Sequence, residues 1–144
     1  MIREILRENY YFIEEKSLNL NEDIVDDIFI SGDKRLLKKA FINIVRNAII
    51  HSPKGESINI ILNGNKFIVE NTGVYIEESE INNIFKAFYR IDKSRNSETG
   101  GTGLGLYIVK SILDKHSNLS FEMRSLDNKV VFEVNIHFFR GIYI

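Results

Sequence analysis

Apolar residues recur every three or four positions in three stretches of the chain, which predicts three amphipathic helices. The first covers residues 2–16. The second and strongest follows Asp33, a predicted N-cap, and ends just before Pro53, the only proline. The third runs from about Gly103 to His116. The second helix carries a predicted core stripe made of Leu37, Ala40, Phe41, Ile44, Val45 and Ala48.

Two other stretches alternate apolar and polar residues, which is the period of half-buried strands. One alternates around Asn63-Gly64 and the other around Asp127-Asn128, so each predicts a β-hairpin. Short extended segments are predicted at Ser17–Leu20 and Asp27–Ile30, and a short helix from Glu77 to about Phe85. This order predicts a two-layer α/β sandwich, in which a mixed, mostly antiparallel sheet is covered on one face by about three helices.

Composition and charge exclude several classes of function. The chain has 144 residues, 44% hydrophobic and 27% charged, which suffices for one domain with a proper core. Its net charge of −1 gives no electrostatic reason to expect nucleic acid or an acidic membrane surface as a partner. It has no cysteine and no apolar run long enough to cross a bilayer. We therefore expect a cytoplasmic domain without membrane contact of its own.

The stretch TGGTGLGLYIVKSILDKH, Thr99 to His116, places four glycines within six residues, directly before a helix. It is not a P-loop, because Gly105 is followed by Leu106 and Tyr107 rather than by Lys and Ser or Thr. It also differs from a dinucleotide fingerprint, since no strand precedes it and it lies late in the chain. Bare backbone N–H groups at a helix N-terminus would suit a phosphate. A flexible loop that only starts a helix is the alternative.

Three polar residues, Asn43, Asn47 and His51, recur every four positions in the second helix and therefore share one face beside its apolar stripe. Asparagine is a middling to poor helix former, so two on one face are unusual for a solvated surface. Amide oxygens are hard ligands that suit Mg²⁺, which commonly shares the phosphates of a nucleotide. The alternative is that the asparagines hydrogen-bond neighbouring loops and that His51 is a packed or rim residue.

Four segments, in order, resemble the sequence boxes of the catalytic ATP-binding domains of two-component sensor histidine kinases. FINIVRNAIIHS resembles the N box, NTGVYI the first glycine box, FKAFYR the F box and GGTGLGLYIVK the second glycine box. Order and spacing agree over about residues 17–136. The family's fold is the Bergerat-type α/β sandwich, so the resemblance implies the same layers as the hydrophobic pattern.

The resemblance also implies roles for individual residues and two cofactors, ATP and Mg²⁺. Asn47 would be the Mg²⁺ ligand, with Asn43 supporting the metal or the phosphates. Arg90, Arg95 and Lys93 would offer charge to the γ-phosphate, although Lys93 is equally explained as a solubilising residue of a lid over about residues 86–101. The catalytic residues implied are thus Asn47, Arg90 and Arg95. The other nucleotide contacts implied are His51, Asn71, Gly73, Ile76, Phe88, Gly101, Thr102, Gly103, Leu104, Gly105 and Leu106.

One residue, Asn43, separates kinases from related ATPases, and the chain departs from the family pattern at three other positions. In the hydrolysing relatives of the gyrase, Hsp90 and MutL types, a Glu stands where this chain has Asn43, so transfer to an external nucleophile is favoured over hydrolysis. Asn71 replaces the Asp that accepts a hydrogen bond from the adenine amino group, and its amide oxygen can still accept that bond. Tyr75 replaces the second glycine of its box, and Ile50 replaces a basic residue.

The family's phosphoacceptor, a His followed by an acidic residue, has no match among His51, His116 and His137. We therefore expect residues 1–16 to be the tail of a dimerisation helix or a linker, and residues 17–144 to be the ATP-binding domain of a longer, membrane-bound kinase. The predicted function is γ-phosphoryl transfer to a histidine of the separate dimerisation domain, with a response regulator as an indirect partner. The alternative is a degenerate pseudokinase module that senses nucleotide or docks without catalysing transfer.

Overall fold

The computed structural model describes residues 1–91 and 103–138 of the chain. Within these residues, helices and strands are interleaved rather than grouped by type, as the sequence predicts. The helices are α1 (Ile2–Glu8), α2 (Tyr10–Glu15), α3 (Lys34–His51), α4 (Glu78–Ile81) and α5 (Gly105–Leu113), with a 3₁₀ turn at Asn83–Phe85. The strands are β1 (Asn19–Ile24), β2 (Ser57–Asn63), β3 (Lys66–Thr72), β4 (Leu119–Leu126) and β5 (Lys129–Ile136).

The strands form one five-stranded sheet in the order β1-β2-β3-β5-β4. Only β1 and β2 pair in parallel, and the other three pairs are antiparallel, which confirms the predicted mixed sheet. Both predicted hairpins are present. The first turns one residue later than predicted, at Gly64 and Asn65, because Asn63 pairs with Lys66. In the second, Asp127 and Asn128 both have positive φ, 43° and 65°, as a tight hairpin turn requires.

Helix α3 begins and packs as its sequence predicts. The Asp33 carboxylate accepts hydrogen bonds from the backbone N–H groups of Arg35 and Leu36, at 2.9 and 3.0 Å. The Leu36 N–H is the main reason that the pKa of Asp33 lies below its usual value. Every residue of the predicted core stripe is buried. The charged first turn and the N-cap therefore fix where α3 starts, while the stripe fixes which face meets the sheet.

The hydrophobic core lies between the helices and one face of the sheet. Phe41 of α3 meets Phe67 of β3 edge to face, with ring centroids 4.9 Å apart. On the opposite face, the buried Glu133 carboxylate pairs with Lys66 and Arg124, and Lys66 is the main cause of a lowered pKa of Glu133. The sheet is thus apolar where the helices cover it and ionic on its outer face.

The predicted helix over residues 2–16 is interrupted at Asn9. The Asn9 side chain is buried, donates to the Ile5 carbonyl at 2.8 Å and accepts from Arg46 Nε at 3.2 Å. This competition with backbone hydrogen bonding ends α1 and starts α2. Apolar side chains of both helices join the common core. The boundary between residues 16 and 17 remains a prediction.

Four other predictions of element bounds were wrong. The strand β1 starts at Asn19, because Ser17 has a φ of 51°, and residues 27–30 form no strand, because Asp27 has a φ of 64°. The single helix predicted at residues 77–85 is split into α4 and the 3₁₀ turn. Helix α5 is shorter than predicted at both ends. None of the described helices has the length and apolar character needed to span a membrane.

Candidate functional site

The polar face of α3 carries Asn43 and Asn47, both half-buried, and His51, which is exposed. Asn43 Nδ2 donates to the Lys39 carbonyl one turn back in the same helix, at 2.8 Å. This bond fixes the amide group, and its oxygen, Oδ1, accepts no hydrogen bond from residues 1–91 or 103–138. The hydrogen bond stays within α3, so it does not tie the helix to a neighbouring loop.

The N-terminus of α5 meets this face at Gly105. A Cβ atom built on Gly105 would lie 3.3 Å from Asn43 Oδ1, closer than most Cβ contacts in proteins. The first turn of α5 has no side-chain cap among the described residues and contains no acidic residue. The N–H groups of Gly105, Leu106 and Tyr107 precede the first i→i−4 bond, which Ile108 donates to Leu104. Donors that have no partner in the described part of the chain therefore lie next to an oriented amide oxygen.

Gly103 and Phe88 form a second close contact at the site. The Phe88 N–H donates to the Gly103 carbonyl at 3.0 Å, and a Cβ on Gly103 would lie 2.9 Å from the Phe88 carbonyl carbon. Gly103 has a φ of 76°, so both its backbone angle and its surroundings require glycine. Phe88 itself has a φ of 62° and is 71% exposed, which is an uncommon conformation for a bulky residue.

Positive charge lies near the C-terminal end of the polar face. The protein atoms around the His51 ring lower its pKa, although its surface remains accessible, and the charges of Lys16 and Arg90 lower it further. Arg90 is half-buried and close enough to His51 for its charge to act. This end of the site therefore favours a neutral histidine beside two cations, which suits an anionic ligand.

Asn71, Gly73 and Ile76 continue from β3 along the adjacent edge of the site. Asn71 is 5% exposed and pairs in register with Ile58 and Val130 on the core side of the sheet. Gly73 has a φ of 75°, donates its N–H to the Asn128 carbonyl, and leaves no room for a Cβ beside the Glu56 side chain. The Ile76 N–H donates to Ser125 Oγ at 2.9 Å. The β4–β5 hairpin thus holds this segment in place.

Some of the remaining predicted site residues lie within the described part of the chain and others lie outside it. Leu104 is half-buried just before α5, while the Leu106 side chain is buried in the core and can reach a ligand only through its backbone N–H. Tyr75, which replaces a glycine, is 60% exposed. Lys93, Arg95, Gly101 and Thr102 lie outside the described residues.

The donor set of the site is one of amides rather than of carboxylates. In residues 1–91 and 103–138, no group of three or more His, Asp or Glu side chains is placed to hold a metal ion. Such a site has no preformed cage, but the amide oxygens of Asn43 and Asn47 fit a hard ion such as Mg²⁺ that completes its shell with water and phosphate oxygens.

Two residues at this site were missed by the sequence analysis. Lys16 donates to carbonyls at the end of α3, and Glu56 accepts from Thr72 Oγ1 at 2.6 Å. Both contacts join residues far apart in the chain, so no local spacing reveals them. The only sequence signal is Pro53, which lacks an N–H and therefore cannot satisfy the carbonyl of Ile49.

A family model described as "Histidine kinase-, DNA gyrase B-, and HSP90-like ATPase" matches residues 32–138. The chain belongs to this family. The matched range contains Asn43, Asn47 and Asn71 together with the glycines before α5. The match confirms the family that the sequence boxes indicated, and with it the Bergerat-type sandwich fold.

The chain is also similar to curated sensor kinases. It is 38% identical over 115 residues to the sensor protein VanS of Enterococcus faecium, which covers 77% of this chain and 29% of VanS. It is 35% identical over 108 residues to the sensor-like histidine kinase SenX3 of Mycolicibacterium smegmatis, covering 72% of this chain and 28% of SenX3. The chain thus spans less than a third of the length of these two relatives.

Solved structures agree with the fold. The catalytic domain of histidine kinase ThkA, in a nucleotide-free form, superimposes with a TM-score of 0.77 at 26% identity, over 94% of this chain and 89% of that one. Full-length ShkA in complex with AMPPNP gives a TM-score of 0.77 at 19% identity, over 94% of this chain and 28% of that one, which shows the fold alone.

The contact between Gly103 and Phe88 predicts the effect of adding one methyl group. Gly103→Ala should lower the free energy of unfolding by about 1–3 kcal/mol, because the new Cβ meets the Phe88 backbone at a positive φ. Gly64→Ala is the matched control, since Gly64 has a φ of 59° but nothing within 4 Å of its Cβ position. Urea unfolding measures both, and equal losses in the two variants would contradict the close contact.

Proposed function

We propose that this chain binds Mg²⁺·ATP and donates the γ-phosphoryl group to a histidine on a separate dimerisation domain. The observation that carries the proposal is the N-terminus of α5, whose first N–H groups have no partner among the described residues and which lies against the oriented Asn43 amide of α3. Such a helix end, with no acidic residue in its first turn and a neighbouring amide acceptor for a divalent ion, suits a polyphosphate better than it suits any neutral ligand.

The phosphates would be bound mainly by the backbone. The N–H groups of Gly105, Leu106 and Tyr107 point out of the first turn of α5, where the helix dipole adds positive potential. Gly105 allows α5 to approach α3 closely, and Gly103 holds the preceding backbone against Phe88. Arg90 and, in the segment outside the described residues, Arg95 and Lys93 would add charge near the γ-phosphate.

Asn47, with Asn43, would hold Mg²⁺. When bound, this ion neutralises charge on the phosphate oxygens and so assists a loose phosphoryl transition state. The residues of the chain provide its two amide oxygens on one helix face, and water and phosphates would complete the shell. Positioning and charge are the contributions that such a transfer needs most.

The adenine base would meet Asn71. Its amide is buried on the core side of β3, next to the segment that Gly73 and Ile76 fix against the β4–β5 hairpin. The amide oxygen can accept from the exocyclic amino group of adenine, as the Asp of the family does, but without a negative charge. His51, Phe88, Leu104 and, outside the described residues, Gly101 and Thr102 would line the remaining pocket.

Phosphoryl transfer is proposed in preference to hydrolysis because the site has no carboxylate at the place of Asn43. An amide has no useful basicity, so it can position a phosphate but cannot readily deprotonate water. His51 does not supply this base, because it lies two turns along α3 from Asn43.

The relatives support the proposed partners and location. A ThkA structure in complex with the response regulator TrrA shares the fold with a TM-score of 0.72 at 24% identity. We propose a response regulator as the indirect partner of this chain, residues 1–16 as the end of a dimerisation helix or linker, and residues 17–144 as the catalytic domain. The domain would work in the cytoplasm, within a longer kinase of the cell membrane.

Calorimetric titration with a non-hydrolysable ATP analogue tests the nucleotide site. We expect Mg²⁺-dependent binding in the micromolar to submillimolar range, about −5 to −8 kcal/mol. Asn47→Ala should weaken binding about tenfold or more through the lost ligand. Asn21→Ala, on the outer face of β1, should change nothing. The absence of binding at millimolar nucleotide would contradict the proposal and favour a degenerate docking module.

Steady ATP hydrolysis tests the role of Asn43. The chain should hydrolyse ATP slowly, and Asn43→Glu should raise the rate by about tenfold or more, because a carboxylate at this place can act as a general base. Asn43→Gln retains an amide and should remain slow. Fast hydrolysis by the unaltered chain that is lost in Asn43→Ala would instead indicate a stand-alone ATPase.

A further inference from the structure

Lys16 caps the C-terminal end of α3 from outside the helix. Its Nζ donates to the carbonyls of Ile49, Ile50 and Ser52 at 2.8, 2.6 and 2.9 Å. Burial lowers the pKa of Lys16, which shows that partial desolvation disfavours the charged ammonium group at this position. Three charge-assisted hydrogen bonds from one ammonium group make this a specific contact rather than an incidental one.

The sequence of α3 makes this cap necessary. The last carbonyls of a helix have no partner within it, and the Ile49 carbonyl would ordinarily accept from residue 53. Residue 53 is proline and has no N–H to donate. The Ala48 carbonyl is already taken by the N–H and hydroxyl of Ser52. Lys16 therefore donates to carbonyls at the end of α3 that lack a hydrogen-bond donor from the residues directly following the helix.

We propose that Lys16 is a positioning residue for the nucleotide site, coupling the segment before β1 to the asparagine face of α3. This inference rests on the proposed function. The carbonyls that Lys16 holds belong to the turn that follows Asn47 and contains His51. Movement of α2 relative to the sandwich would thus act directly on the end of the metal-binding face.

The same junction reaches the other edge of the site. The Gly55 N–H donates to the Lys16 carbonyl at 3.0 Å, and the Asn19 N–H donates to the Glu56 carbonyl at 2.9 Å. Glu56 in turn accepts from Thr72, next to Gly73, where its side chain fills the space a Cβ would need. One connection, residues 52–56, therefore links the N-terminal segment both to α3 and to the segment after Asn71.

Lys38 offers a matched comparison because it also ties the N-terminal helices to α3. Its Nζ lies 3.1 Å from Glu4 Oε1 and 3.7 Å from Glu8 Oε1 of α1. It does so near the start of α3, more than two turns before Asn47. A general loosening of α1 and α2 would follow from the loss of either lysine, whereas an effect on the site should follow from the loss of Lys16 alone.

The experiment compares Lys16→Met, Lys16→Arg and Lys38→Met in the full chain, at a temperature where circular dichroism shows all of them folded. The probes are Mg²⁺ with the non-hydrolysable ATP analogue, and amide exchange at Ser52. We expect Lys16→Met to weaken nucleotide binding about three- to tenfold and to speed exchange of the Ser52 N–H. Lys16→Arg should restore most of the affinity, and Lys38→Met should match the unaltered chain in both measurements.

His51 supplies a spectroscopic readout of the same contact. Since Lys16 and Arg90 both lower its pKa, Lys16→Met should raise the NMR-measured pKa of His51 and Lys38→Met should not. Unchanged affinity in a Lys16→Met chain that is only less stable would overturn the proposal, as would equal effects of Lys38→Met. If the unaltered chain binds no nucleotide, the proposed function fails by itself, and unchanged Ser52 exchange in Lys16→Met separately refutes the cap.

Discussion

The close approach of α5 to α3 is the constraint on which the candidate site depends. Both helices cover the same face of the sheet, and they meet where Gly105 presents no side chain to Asn43. A larger residue there would move the N-terminus of α5 away from the amide oxygens. Packing in the core sets the distance between the helices. Because Gly105 has no side chain, the space between the backbone donors of α5 and the side-chain acceptor of α3 stays open.

Two faces of α3 have different roles in this geometry. Its apolar stripe, including Phe41, anchors it to the sheet, while the neighbouring face carries Asn43 and Asn47. Asn43 bonds back to its own helix, so its oxygen is held in place before any ligand arrives. Asp33 fixes the start of α3, and Lys16 fixes its end. A helix fastened at both ends and along one face would be a rigid support for the proposed metal and phosphates.

Local patterns predicted much of this fold. The stripe of α3, the Asp33 cap and both hairpins were readable because each depends on residues adjacent in sequence. The same holds for the asparagine face, since residues four apart on a helix always share a side. The bounds of α5 and the interruption at Asn9 were not predictable. The interruption depends on a hydrogen bond that Arg46 Nε donates to Asn9 Oδ1, and α5 begins beside the bond from the Phe88 N–H to the Gly103 carbonyl. Both bonds form only once distant segments meet.

The candidate site shows the same limit. The glycines before α5 were recognisable, but the contacts that leave no room for a Cβ at Gly103 and little room at Gly105 come from Phe88 and Asn43 elsewhere in the chain. The Lys16 cap had no sequence signal beyond the missing N–H of Pro53. Long-range contacts of this kind decide how the boxes of the family assemble into one site, and spacing alone cannot supply them.

An NMR titration of the backbone amides with Mg²⁺ and a non-hydrolysable ATP analogue tests whether the start of α5 binds phosphate. The amide signals of Gly105, Leu106 and Tyr107 should shift most, because those N–H groups would bind phosphate, and the Asn43 and Asn47 side-chain amides should shift only when Mg²⁺ is present. Shifts confined to the outer face of the sheet, or signals of α5 that stay unchanged at saturating analogue, would contradict phosphate binding there.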